Sequence, residues 1–299
     1  MKIAFFGSPQ IAVKTLENLN KSEEIQLVIT QTDKPGKRGK ITQTPIKTKA
    51  KELKLKVFET QNKTNIISEL KKHKIDLNVV FAFGMILEKE VLNYPKYGSI
   101  NIHASLLPKY RGASPIKECI LNGDKKTGIT IIQMDEKMDH GEILAQFEIN
   151  TDEKETSSSL SEKISNISAK NLPEIIRKIE NNSIKKQKQD HNKATFCKKF
   201  FEKDAEIQEN ETTTQVIRKI NAFDENPIAF KKDDHGKKIL IHKAEKSEIK
   251  ISAGKYKIIE KNLHLGTLDC SIIIKELTYE GKKRMDTKSF LNGSRSLFQ

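Results

Sequence analysis

The chain has 299 residues, enough for two domains of ordinary size, and no stretch approaches the apolar run of about twenty residues that spans a bilayer. Its three cysteines, Cys119, Cys197 and Cys270, lie far apart, which argues against a disulfide framework or a cysteine zinc site and for a reducing cytoplasm. A formal charge of +14, from 54 basic against 40 acidic residues, fits a polyanionic partner such as nucleic acid, and fits equally the lysine, asparagine and isoleucine bias of AT-rich coding.

The chain starts Met1-Lys2 and runs directly into "IAFF", so no leader is expected and the first strand is placed at 3–6. Ser8 and Pro9 suit the cap and first turn of a helix carrying Ala12, Leu16 and Leu19 at helical spacing. "IQLVIT" reads as the next strand, "NIISELKKH" as a helix, "DLNVVFAF" as a buried strand and "SINIH" as another. A helix around Pro115 to Leu121 follows, then strands in "GITIIQM" and "EILAQFEI", then a long helix over 157–182 that Pro173 could interrupt. Such alternation implies a Rossmann-like, mostly parallel sheet with helices on both faces. Gly7 alone makes no dinucleotide fingerprint, so no NAD site is expected.

From Lys185 to Lys199 the segment "KKQKQDHNKATFCKK" holds six lysines and one acid and reads as a basic linker. Beyond it come one helix, "TTTQVIRKINAF", and short strands such as "KILIHKA", "YKIIEK" and "SIIIKEL", the pattern of a small β-barrel or sandwich. The expected organisation is a catalytic α/β domain over 1–184, the basic linker over 185–203 and a smaller C-terminal domain over 204–299.

The chemistry centres on "GSINIHASLLPKYRG". Asn101 and His103 alternate with Ile100 and Ile102, so on a strand both polar groups share one face, roughly 6 to 7 Å apart along the backbone. Both can donate to a carbonyl oxygen that gains negative charge, and an imidazole can also move a proton near neutral pH. A strand end where the two merely satisfy each other is the plainer alternative. Asp139, beside Gly141 in a loop between two strands, can orient His103 or receive a proton from an attacking amine, although Asp135, Glu136 and Glu142 are nearby acids. His103, Asp139 and His140 could instead be metal ligands, but no His-x-x-x-His or Cys-x-x-Cys spacing supports a metal site. Ser105 lacks the glycine elbow of a serine nucleophile. In "KPGKRGK", Lys34, Lys37, Arg38 and Lys40 with two glycines and no acid form a loop able to lie on phosphates, or simply a solvated one.

Taken together, "NIHASLLPKYRGASPI" and "GDKKTGITIIQMDEKMDHGEIL" resemble the signature of the folate-dependent formyltransferases. With "FFGSP", "QTDKPGKRGK", "VVFAFGMIL" and "KKFFEKDAEI…IRKINAF", the resemblance covers essentially the whole chain and is similar to the branch that formylates methionyl-tRNA. It implies a Rossmann-like catalytic domain and a C-terminal OB-like barrel. Asn101, His103 and Asp139 would be catalytic, Ser105, Leu106, Leu107 and Pro108 would lie against the folate, and Lys34, Lys37, Arg38 and Lys40 would meet the acceptor stem. The implied reaction moves a formyl group from 10-formyltetrahydrofolate to the methionine of initiator tRNA; apart from the resemblance, no metal is expected and the protein is read as a cytoplasmic monomer. Another amine acceptor, or an RNA-binding protein with a decayed site, would be the alternatives. Three departures stand out: Phe83 where the family commonly has tyrosine, Glu142 in place of aspartate, and "AFDENP" in place of a tryptophan-containing turn. Arg111 is read as an anchor of its loop.

Overall fold

The computed structural model describes residues 1–35 and 41–298. Two compact units are present. The first comprises Met1–Pro115, Lys126–Asn150 and Ser161–Lys198, and the second comprises Ile116–Lys125, Thr151–Leu160 and Lys199–Gln299.

In chain order the elements up to the first switch of the sheet are β1 (Lys2–Gly7), α1 (Val13–Ser22), β2 (Glu24–Gln31), β3 (Lys34–Pro35), β4 (Ile41–Thr42), α2 (Pro45–Glu52), β5 (Val57–Thr60), α3 (Ile66–Leu70) and β6 (Leu77–Phe81). They are followed by α4 (Lys89–Asn93), β7 (Ser99–His103), β8 (Arg111–Gly112), α5 (Pro115–Asn122), β9 (Lys126–Gln133), β10 (Ile143–Asn150), α6 (Ser157–Glu180) and β11 (Phe196–Cys197). The main sheet runs β10-β9-β7-β6-β1-β2-β5. Strands β5, β2, β1, β6 and β7 are parallel, and β9 and β10 add antiparallel to one side. This is the Rossmann-like sheet, with its order reversing between β1 and β6, where such sheets bind ligands beyond their carboxyl ends. Strands β1 and β6 carry near-continuous apolar runs because both faces are covered; Ile3, Ala4, Phe5 and Phe6 are fully buried.

Two local expectations are revised. The Ser8 hydroxyl does not cap α1, because a short 3-10 turn over Gln10–Ala12 comes first; it accepts instead from the Gln31 amide at the end of β2, at 3.2 Å. Pro173 does not break α6, which is continuous through it. The carbonyl a proline orphans lies four residues back, at Ala169, and here the Asn18 amide donates to it at 2.5 Å.

The second unit contains α7 (Thr213–Ala222), β12 (Phe230–Lys232), β13 (Lys238–Ser247), β14 (Tyr256–Ile259), β15 (Asn262–Gly266), β16 (Ser271–Tyr279), β17 (Met285–Asp286) and α8 (Thr287–Asn292). Its strands form an OB-like antiparallel sheet ordered β12-β13-β16-β15-β14, with β17 beside β16. Thr212 starts α7 through a reciprocal capping box with Gln215. Among the described residues, no helix is long and apolar enough to cross a membrane.

Candidate active site

Strand β7 ends where the parallel sheet meets β9, and its alternation sends Asn101 and His103 to the same face. The loop between β9 and β10 brings Asp139 to them. Asn101 Nδ2 donates to Asp139 Oδ1 at 3.3 Å, and His103 Nδ1 lies 3.5 Å from Asp139 Oδ2. The same Oδ2 accepts from the Gly112 amide at 2.8 Å. All three sequence-derived catalytic candidates therefore meet at one carboxylate, with the His103 and Asp139 side chains only 6% and 11% exposed.

His103 is anchored on its other side. Nε2 lies 2.8 Å from the Tyr110 carbonyl, which can only accept, so Nε2 carries a hydrogen. Nδ1 is the ring atom left to face a reacting group. If it also donates, the ring is an imidazolium with Asp139 as its counter-ion. Asn101 Nδ2 has two hydrogens and directs one at Asp139, which leaves the second for another acceptor.

The loop that presents Asp139 is shaped by its backbone. Asp139 has φ +50°, a left-handed conformation that aspartate tolerates better than most residues. Gly141 is required by close approach, since a Cβ there would meet the Gln133 carbonyl oxygen at 1.8 Å.

Ser105 to Pro108 form the turn after β7, and the structure divides them. Ser105 is buried and its hydroxyl donates to Lys109 O at 2.5 Å, while Leu107 packs against Ile132 and Ile143. Leu106 and Pro108 stay half-buried. The Thr130 hydroxyl, which accepts from the Leu107 amide and donates to the Ser105 carbonyl, fixes the turn to β9. Of the proposed tRNA loop, Lys37, Arg38 and Lys40 lie outside the described residues, and Lys34 is the first residue of β3. The base of that hairpin is held by Lys47, whose Nζ contacts Asp33 at 2.5 Å and Glu59 at 2.7 Å. Hydrogen bonds to Asp33 and then Glu59 raise the Lys47 pKa.

A cavity of about 310 Å³ opens at the carboxyl ends of β1, β2 and β6, lined among others by Ser8, Gln31, Thr44, Ala82 and Phe83. Register places it beside the trio: Phe81, the last residue of β6, pairs with Ile102, so Ala82 just past β6 lies level with His103 at the end of β7. Phe83 is 1% exposed, with its ring edge-on to Phe6 in the core.

Sequence reasoning missed the part played by the segment expected to be a solvated linker. Residues 187–197 run back along the site: Gln187 bridges Ile143, Thr195 receives the Tyr110 amide at 2.8 Å, and β11 pairs with β8. The high lysine content hid the one buried polar side chain, Gln189. Next to it, His191 stacks on His140 with centroids 4.1 Å apart, and His140 Nδ1 lies 2.6 Å from Asp135. Burial lowers the His191 pKa, followed by the charges of His140, Arg111 and Lys137. Among the described residues, no group of three or more histidines, cysteines or acids is placed to hold a metal ion.

Residues 1–176 match the family model described as "Formyl transferase", and 199–295 match "Formyl transferase, C-terminal domain". The chain belongs to the formyl transferase family. This formyltransferase is 38% identical to the methionyl-tRNA formyltransferase of Fusobacterium nucleatum, covering 98% of this chain and 97% of that one. The methionyl-tRNA formyltransferase of Alkaliphilus oremlandii is also 38% identical, with the same coverage. Among solved structures, HypX from Aquifex aeolicus in complex with tetrahydrofolic acid superimposes with a TM-score of 0.71 at 17% identity, covering 97% of this chain and 47% of that one. An N-formyltransferase from Helicobacter canadensis gives 0.70 at 20% identity, covering 92% and 98%. At those identities the formyltransferase shares the fold with them.

Proposed function

We propose that this formyltransferase moves the formyl group of 10-formyltetrahydrofolate to the α-amine of methionine on initiator tRNA, acting as a cytoplasmic monomer without a metal. The observation that carries the reading is the meeting of Asn101, His103 and Asp139 at the end of β7. The near-full-length similarity to methionyl-tRNA formyltransferases supports the choice of acceptor.

The amine lone pair attacks the formyl carbon, and the carbonyl electrons move onto oxygen. Asn101, through its second amide hydrogen, and cationic His103, through Nδ1, donate to that oxygen as its charge grows, worth about 3 kcal/mol per donor where comparable donors have been removed. Asp139 takes the proton released by the amine. When the intermediate collapses, the bond from the formyl carbon to folate N10 breaks and N10 takes the proton back from Asp139. One proton thus passes from amine to N10, and Asp139 and His103 end as they began. The protein's remaining task is to align the two reactants and exclude water.

The methionyl end is assigned to the cavity beside β1, β2 and β6, because Thr42 on its rim belongs to β4, which pairs with β3 and follows Lys37, Arg38 and Lys40 directly in sequence. The folate is assigned to the turn over Ser105, Leu106, Leu107 and Pro108, with Leu106 and Pro108 offering the accessible surface. In functional terms, residues 1–184 carry the proposed catalytic side chains, 185–203 form a basic linker whose residues 187–197 brace the site, and 204–299 form a domain that helps hold the tRNA. Formyl transfer from 10-formyltetrahydrofolate to methionyl-tRNA, measured for the unaltered protein beside His103→Ala and Asp139→Ala, tests the reading. Normal turnover by both variants would show that the trio is not the reacting centre, and transfer to an amino sugar nucleotide in place of methionyl-tRNA would show that the acceptor is wrong.

A further inference from the structure

We infer that Gln189 is a positioning residue for formyl transfer, fixing the main chain that presents Asp139; this rests on the reading of Asp139 as proton acceptor. Gln189 is 6% exposed, and every atom of its amide is engaged. Nε2 donates to the carbonyls of Asp139 and Gly141, at 2.9 and 2.7 Å. Oε1 accepts from Arg111 Nε and Nη2, at 3.2 and 2.6 Å. The orientation is dictated chemically, since a guanidinium can only donate and two carbonyls can only accept.

Its contacts join the two segments that hold the trio. Arg111 sits between Tyr110, whose carbonyl anchors His103, and Gly112, whose amide binds Asp139 Oδ2. The Asp139 carbonyl that Gln189 grips belongs to a residue in the left-handed region, a conformation that persists only where the surroundings over-determine it. The segment carrying Gln189 is itself held by other bonds: Gln187 exchanges both main-chain hydrogen bonds with Ile143, and Thr195 and Cys197 pair along Pro108 to Ala113. Loss of the Gln189 donors therefore releases the 139–141 loop while leaving that segment in place.

Two variants of the full-length protein isolate this role. Gln189→Glu keeps an oxygen toward Arg111 but faces two carbonyls with a carboxylate, and Gln189→Met keeps the shape without hydrogen bonds. In single-turnover formyl transfer, both are expected to lower the rate by about 10²-fold, the cost of an ångström-scale misplacement, while half-saturation by either substrate stays near that of the unaltered protein. The decisive arm places Gln189→Glu on Asp139→Ala. If Gln189 acts through Asp139, the double variant is no slower than Asp139→Ala alone. A normal rate for Gln189→Glu beside an inactive Asp139→Ala overturns the inference alone. An equal further loss on the Asp139→Ala background also overturns it, because Gln189 would then act elsewhere. Normal turnover by Asp139→Ala removes the underlying reading and the inference together.

Discussion

Gly141→Ala tests whether the position of the Asp139 loop sets the rate. An added Cβ would stand 1.8 Å from the Gln133 carbonyl oxygen, and relief to even 3.0 Å requires the two main chains to part by about 1.2 Å. Gln133 is the last residue of β9, paired to Ile100 on β7 and donating its own amide to the Glu142 carbonyl, so the loop is the part that yields. A movement of that size away from β8 would lengthen the contact from Asp139 Oδ2 to the Gly112 amide from 2.8 Å to about 4 Å, which is no longer a hydrogen bond. The expected result is a single-turnover rate lowered by about 10²-fold. Overpacking should destabilise the fold by about 1 to 3 kcal/mol, visible as a lower melting temperature. The rate is read well below that melting temperature with both substrates saturating. A folded variant that transfers formyl at the normal rate would refute the claim that catalysis depends on where this loop holds its carboxylate.

Asn101→Ala removes one donor to the developing oxyanion and should lower kcat by about 10²- to 10³-fold with little change in KM; steady-state kinetics with both substrates checks the split. Arg38→Ala should weaken methionyl-tRNA use by about 10- to 100-fold, the value of one good contact, while formylfolate binding by titration is unchanged. Equal loss of both would count against the tRNA role. A third outcome concerns pH. Burial, followed by the charge of Arg284, holds the His242 pKa below its ordinary 6.5, with Glu276 opposing. Its Nδ1 is buried without a hydrogen-bond partner, so a proton added there stays unpaired. The unfolded chain takes up that proton at a higher pH than the folded one, so the stability involved is complete above pH 6.5 and is lost as pH falls through the lowered value. Burial holds His191 and His264 down as well, with the same sign. Thermal melting across that window should show His242→Gln losing less stability than the unaltered protein.

Much of the fold was legible because its signals are local. The apolar runs at 3–6 and 76–83 are long enough to specify strands buried on both faces, and two-residue alternation put Asn101 and His103 on one side of β7. Asp139 was readable as a candidate because a glycine two residues on signals a loop, but its partners Gly112 and Gln189 were not, since main-chain donors and a lone glutamine leave no pattern in a sequence. The role of the segment after α6 at the site was missed for a related reason. Lysines dominate its composition, yet its structure comes from main-chain pairing with β8, to which side-chain polarity is indifferent. Ser8 fits a helix cap by local rule, and tertiary contact with β2 took its hydroxyl instead. The α6 proline was tolerated through a side chain from α1, a long-range contact that no helix propensity encodes.

The return of residues 187–197 along β8 bears on how this enzyme can be cut. A fragment ending at 184 would contain every proposed catalytic side chain and the whole seven-stranded sheet, yet it would lack Thr195, which fixes the Tyr110 amide, and Gln189, which fixes the Asp139 carbonyl. Such a truncation is expected to fold and to be nearly inert, whereas one carried through Lys198 keeps both ties.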